Sequence, residues 1–293
     1  MENKQTILIA GATGNIGKAA AIALAKRGAR VVILGRSHDK LQATKDSIYI
    51  KLSEAHIEYQ EEDLATLVVD FSDMESVRHS AEEAMNRFPV INGLVLSVGA
   101  LIQNGPNILD SGHEVMFATN VMGPFLFTQL LVERMQQSDG LVLHVIAPFN
   151  KKIDWEDIES IKNHRTTTAM DRTKTFNRMI AGELARRYAE KISSVAFDPT
   201  YVIDKSDPEL AKRWPSGFRG FFWRVMTVLF AKPPATAGEP IANLMLTVQD
   251  RSAINGTLFK LDRRIEKPDK AMNDKKSGKR LWDELVLLTR LTL

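Results

Sequence analysis

The chain has 293 residues, 44% of them hydrophobic, enough to bury a full core, and α/β chains of this size are commonly one domain. Charged residues are 26% of the total and the formal net charge is only +3, so the pI near 9.0 does not make it a nucleic-acid binder. No basic stripe interleaved with aromatics accompanies the charge, and much of the surplus sits in KPDKAMNDKKSGKR (267–280), which reads as a solvated loop. The absence of cysteine excludes disulfides, thiolate metal sites and a cysteine nucleophile. It also fits a reducing cytoplasm, and no metal is expected.

The amino end, MENKQTILIAGATG, has an apolar run too short for an export signal, and no apolar stretch is read as reaching the roughly 20 residues that span a bilayer. A soluble, cytoplasmic protein is the expectation. Short apolar runs then recur, bounded by glycine, asparagine or aspartate: 6–10, 29–35, 66–71, 91–99, 140–147, 192–199 and 256–262. Their continuous apolarity suits strands covered on both faces. Helical periodicity fills 17–28, 74–88 and 123–137. Strands alternating with helices predict a Rossmann-type, doubly wound α/β fold with a parallel sheet of about seven strands. The reading is a single domain over 1–293 whose core covers about 1–200. Residues 204–240 form a substrate lid or insertion, and 263–293 form a tail ending in the amphipathic helix RLWDELVLLTRL.

ILIAGATGNIGKAAAIALA sets Gly11, Thr13, Gly14, Asn15, Ile16 and Gly17 between a strand and a helix. Glycines there permit a sharp turn and close approach to a pyrophosphate, which the free N–H groups and positive end of the helix would hold. Arg36 follows the second strand, where a cofactor with a free ribose 2′-hydroxyl usually meets an acid and one with a 2′-phosphate meets arginine. Asp70 follows the third, placed to accept from an adenine amino group. These residues predict NADP(H) in preference to NAD(H).

Together these features resemble the short-chain dehydrogenase/reductase family, in its retinol-dehydrogenase-like single-domain branch, over nearly the whole chain. The opening unit GATGNIGKAAAIALAKRGARVVILGRS is similar to that branch, with Asn15 where the middle glycine stands. LSVG (96–99) keeps Gly99 of the family's Asn-Asn-Ala-Gly, and FATNVMGPFLFTQLL matches the helix bearing the catalytic asparagine, Asn120. ELARR (183–187) and Asp198-Pro199 fix the register downstream of Lys174. The resemblance implies a serine at 147 and a tyrosine at 170 to polarise and protonate a substrate carbonyl. The sequence has Ala147 and Met170 instead, and no tyrosine lies between Tyr59 and Tyr188. Of the catalytic set Asn120 and Lys174 remain, and Lys174 is expected to bind the nicotinamide ribose.

After the sixth strand the family's Pro-Gly-x-Val-x-Thr becomes PTYVID, with Pro199 and Val202 kept, Thr200 in the glycine's place and Asp204 in the threonine's. Backbone groups near Val202 are expected to hold the nicotinamide carboxamide. Tyr201, His144 and the pair His164–Arg165 are weighed as substitute donors and read as structural or surface residues. The aromatic segment 213–234 implies an apolar substrate or a lid, with an oligomer contact or a membrane-surface helix, rimmed by Arg219, Arg224 and Lys232, as alternatives. The function expected is an NADP(H)-binding oxidoreductase with an altered active site. The alternatives are an inactive pseudoenzyme acting as a nucleotide-binding regulator or scaffold, and a non-redox enzyme using the same pocket.

Overall fold

The structure is a computed structural model describing residues 4–148, 150–205, 217–267 and 269–291, with the backbone alone for 217–223. Expectations that fall on 206–216, and on the Arg219 side chain, lie outside the described residues.

Eight strands form one sheet: β1 Thr6–Ala10, β2 Arg30–Gly35, β3 Leu64–Val68, β4 Gly93–Leu96, β5 Leu141–Val145, β6 Ser193–Asp198, β7 Leu258–Lys260 and β8 Arg263–Ile265. Their order is β3-β2-β1-β4-β5-β6-β7-β8. The first seven are parallel, and β8 returns antiparallel on β7, pairing Phe259 with Arg264. The doubly wound fold is therefore as expected, with one strand more, a short hairpin return at the edge. The helices are α1 Asn15–Lys26, α2 His38–Glu54, α3 Met74–Arg87, α4 Val115–Phe117, α5 Gly123–Gln136, α6 Thr166–Arg187, α7 Gly217–Phe230, α8 Ala235–Leu246, α9 Lys270–Asn273 and α10 Lys275–Leu288.

The pleat divides the strand side chains between two cores. Ile7, Ile9, Val31, Ile33, Val95 and Leu143 pack under α1, α2 and α8, through residues such as Leu24, Ile48 and Ile241. Leu8, Val32, Leu94 and Val142 pack under α3, α5, α6 and α10, through Val77, Phe125, Phe176 and Trp282. Helix starts are set locally: Ser37 and Asp73 accept from Lys40 and Glu75 N–H groups, and Glu114 Oε2 accepts from the Met116 and Phe117 N–H groups at 2.8 and 3.0 Å.

Two expectations change. The helical run Val115–Gln136 is long and apolar enough by composition to cross a bilayer, but its window is 83% buried inside the fold, so its apolar residues are core. Residues 235–240, the end of the segment read as a lid or insertion, open α8, which packs on α1 so closely that a Cβ on Gly238 would come 2.5 Å from the Ala19 carbonyl oxygen. The lysine-rich 267–280 is no free loop. Asp269 caps α9, Ala271 and Met272 are buried, and Asp274 caps α10.

Candidate active site

Strand order reverses between β1 and β4, and in open α/β sheets ligands bind at the carboxyl ends of the strands beside that point. There the glycine turn follows β1. Gly11 has φ +79°, a left-handed conformation that favours glycine, and a Cβ on it would stand 2.7 Å from the Ser97 carbonyl oxygen. A Cβ on Gly17 would stand 2.4 Å from the Gly11 carbonyl oxygen, so the first turn of α1 closes on β1 only with glycine there. Gly14 caps α1 without a side chain, leaving the N–H groups of the first turn, at Asn15, Ile16 and Gly17, directed outward. Thr13 is exposed on this turn beside Gly35.

Arg36 is exposed at the end of β2 and makes no hydrogen bond or ion pair among the described residues. Asp70 lies two residues beyond β3, and one carboxylate oxygen already accepts from the Ser72 N–H and hydroxyl at 2.9 and 2.7 Å.

Lys174 is buried on α6, 7% exposed, and its Nζ donates to the Val98 and Val145 carbonyls at 3.2 and 3.4 Å. Burial without a carboxylate partner pulls its pKa down to about 8. Its ammonium faces Gly99: a Cβ there would lie 3.3 Å from Nζ, so Gly99 keeps the way to the lysine open. Asn120 is fully buried in a π-helical turn, Ala118–Met122, between α4 and α5. A wider turn of this kind re-aims a side chain within a helix. Its Oδ1 accepts from the Ala100 N–H at 2.7 Å and its Nδ2 donates to the Ala100 carbonyl at 2.9 Å. Met170, one turn before Lys174, puts its Sδ 3.6 Å from Asn120 Nδ2 and its Cε 3.7 Å from the Gly99 Cβ position. The structure thus brings Gly99, Asn120, Met170 and Lys174 together.

Ala147 follows β5, and its carbonyl accepts from Arg178 Nη2 at 2.5 Å. The Arg178 guanidinium also pairs with Asp269, both being nearly fully buried. Sequence reasoning missed this pair. Arg178 lies four residues past Lys174, on the same helix face, but its partner sits in a tail read as solvated. His144 faces away from solvent, in a cavity lined by Asn120, Phe125 and Asn177, and its Nε2 has no partner. Burial depresses its pKa to about 3, which keeps the imidazole neutral.

Tyr201 and His164 are engaged elsewhere, and Arg165 is exposed. Tyr201 shares a hydrogen bond of 2.8 Å with Thr227 of α7, and His164 Nδ1 contacts the Ser160 carbonyl at 3.1 Å. Beyond Pro199, Thr200 adopts φ +64° with its N–H bonded to Asp198 Oδ1. The backbone therefore keeps the left-handed shape that suits glycine, although a β-branched residue occupies it. Val202 bridges to Lys232 through the Tyr201 carbonyl and Ile203 N–H, which turns the peptide groups of Val202 itself to the other edge.

Comparison with known proteins agrees with this geometry. Mouse (Mus musculus) retinol dehydrogenase 12 is 27% identical over 283 residues, 95% of this chain and 84% of that protein. Mouse retinol dehydrogenase 13 is 25% identical over 295 residues, 99% of this chain and 85% of that protein. Among solved structures, L-sorbose reductase from Gluconobacter frateurii, complexed with NADPH and L-sorbose, superposes with a TM-score of 0.68 at 17% identity, covering 88% of this chain and 95% of that one. The family described as short chain dehydrogenase matches residues 5–151, the part that carries the glycine turn, Gly99 and Asn120, and the chain belongs to that family.

Proposed function

We propose that this protein is an NADP(H)-dependent oxidoreductase acting on a small apolar substrate, in a site that has lost the family's serine and tyrosine donors. The observation that carries the reading is the group around Lys174. Gly99, Asn120 and Lys174 are kept there, while Ala147 and Met170 stand where the resemblance places the two hydroxyls.

The residues present fit a nicotinamide dinucleotide. The space over Gly11 and Gly17 cannot take a Cβ, the first turn of α1 has outward N–H groups for a pyrophosphate, and Arg36 has an unengaged guanidinium for a 2′-phosphate. Asp70 would accept from the adenine, and Pro199 and the Val202 peptide groups would border the nicotinamide. NAD(H) would find no acidic partner at position 36. The cofactor, when bound, supplies or takes up a hydride.

Lys174, still largely protonated at neutral pH, would donate to ribose hydroxyls and hold positive charge beside the reacting atoms. Asn120 fixes the Ala100 backbone at the floor of the site. Nothing at Met170 or Ala147 donates a proton to a carbonyl oxygen. A positioned acid contributes about 10²–10⁴-fold and a donor to a developing oxyanion about 10²–10³-fold, so simple ketones are poor substrates here. Activated alkenes or iminium ions, which need less acid assistance, fit better. Cytoplasmic location and a homo-oligomeric state belong to the same proposal.

A second reading, a nucleotide-binding regulator without turnover, is favoured by the same missing hydroxyls. NADPH oxidation against a panel of enones, imines and ketones, run beside calorimetric NADPH binding, separates the two. Binding with enone or imine turnover supports the oxidoreductase, binding with no turnover supports the regulator, and no binding contradicts both.

A further inference from the structure

Helix α7 carries an apolar stripe that is exposed among the described residues. Val225, Val228 and Leu229 lie at helical spacing on one face, followed by Phe230, and these four side chains are 37%, 67%, 66% and 58% exposed. Thr227, on the opposite face, is buried and holds Tyr201, so the helix is seated on the fold through its inner side and presents its apolar side outward. The helix contains no acidic residue. The carboxyl end is basic: Lys232 is exposed, and the Lys205 ammonium caps the helix by donating to the Val228 carbonyl at 2.9 Å.

We infer that α7 is a docking element for an anionic lipid surface. The alternative occupant is a second copy of the chain. A stable protein interface takes about 20–30 residues a side, and the exposed apolar residues described on α7 are four. An isologous pairing of the stripe would also bring two sets of like-charged rims together. A phospholipid surface meets neither objection. Apolar side chains enter the headgroup boundary while cations at the rim meet lipid phosphates. The hydrogen bond between Thr227 and Tyr201 ties the docked helix to the segment that ends in Val202, next to the site. The inference does not depend on whether the site turns over a substrate.

The test is co-sedimentation of the full chain with vesicles of phosphatidylcholine alone or of phosphatidylcholine with phosphatidylglycerol, at low and high salt. Wild type should bind the phosphatidylglycerol vesicles and release as salt rises. The triple change Val228→Ser, Leu229→Ser, Phe230→Ser should lower partitioning by about tenfold or more. Lys232→Glu should lower it by on the order of fivefold, and only on the anionic vesicles. Both variants alter exposed side chains, and circular dichroism with NADPH affinity checks that the fold persists. Equal binding to both vesicle types overturns the anionic assignment. No binding to either, or unchanged binding by the triple variant, overturns the docking surface itself. A concentration-dependent dimer in sedimentation velocity that the triple variant abolishes assigns the stripe to a second copy instead.

Discussion

The Asn120 amide nitrogen lies 3.6 Å from the Met170 sulfur, a donor aimed at an acceptor too weak to pass a proton onward. The contact seats a thioether beside Asn120. Asn120 holds its two bonds to Ala100 and Lys174 its two carbonyls, and both stand around a side chain that fills space without titrating.

Lys174 has a consequence for stability. Its folded pKa, about 8, lies below the ordinary lysine value because burial disfavours the charge. Below about pH 8 both folded and unfolded states hold the proton and the burial cost is fully present. Between about 8 and 10.5 the unfolded state holds more protons, so stability rises with pH. Urea unfolding of the cofactor-free protein should show a gain of about 2 kcal/mol between about pH 7.5 and about pH 9.5. Lys174→Met should flatten that rise. The same slope in both proteins would mean that burial does not shift this lysine.

The glycine turn predicts an unequal pair of variants. A methyl at position 17 meets the Gly11 carbonyl at 2.4 Å, while one at position 14 meets it at an ordinary 3.4 Å. Gly17→Ala should open the first turn of α1 and cut dinucleotide affinity by about tenfold or more, and Gly14→Ala should do little unless the ligand itself fills that space. Calorimetry on folded variants decides the matter; equal affinity for Gly17→Ala and wild type excludes the turn as the phosphate cradle.

On the proposed reading, Arg36 sets the choice between cofactors. Wild type should bind NADPH more tightly than NADH, and Arg36→Ala should remove most of that difference while leaving NADH affinity nearly unchanged. If wild type binds both equally, the 2′-phosphate contact is not at Arg36.

Much of this was legible in the sequence for a physical reason. Strands buried on both faces are continuous apolar runs, and seven were readable as such; β8 was not, because Arg263-Arg264-Ile265 is short, edge-placed and polar. Helix α2 escaped because its apolar residues are sparse, with only Leu41, Thr44, Ile48 and Leu52 buried on 17 residues. Gly11 and Gly17 announced the turn because no other residue fits there. Arg178 and Asp269 did not announce themselves, since 91 residues separate them and only the fold joins them under Ala147. The backbone at Thr200 was hidden for the opposite reason: a β-branched residue conceals a left-handed conformation that glycine would have signalled.

The central claim is that the site keeps its cofactor side and has lost two hydroxyls. The most direct measurement is NADPH oxidation by the variant carrying both Met170→Tyr and Ala147→Ser, with small ketones and apolar aldehydes as substrates and NADPH affinity checked in parallel. Lys174 would favour the tyrosinate as an opposite charge must, and the two hydroxyls would act on one carbonyl oxygen. Carbonyl reduction should then rise from near background by roughly the acid and oxyanion contributions together, and each single variant should recover much less. A double variant that binds NADPH yet stays inert on every carbonyl, while wild type turns over an enone or imine, would contradict the account and show a pocket rebuilt for different chemistry.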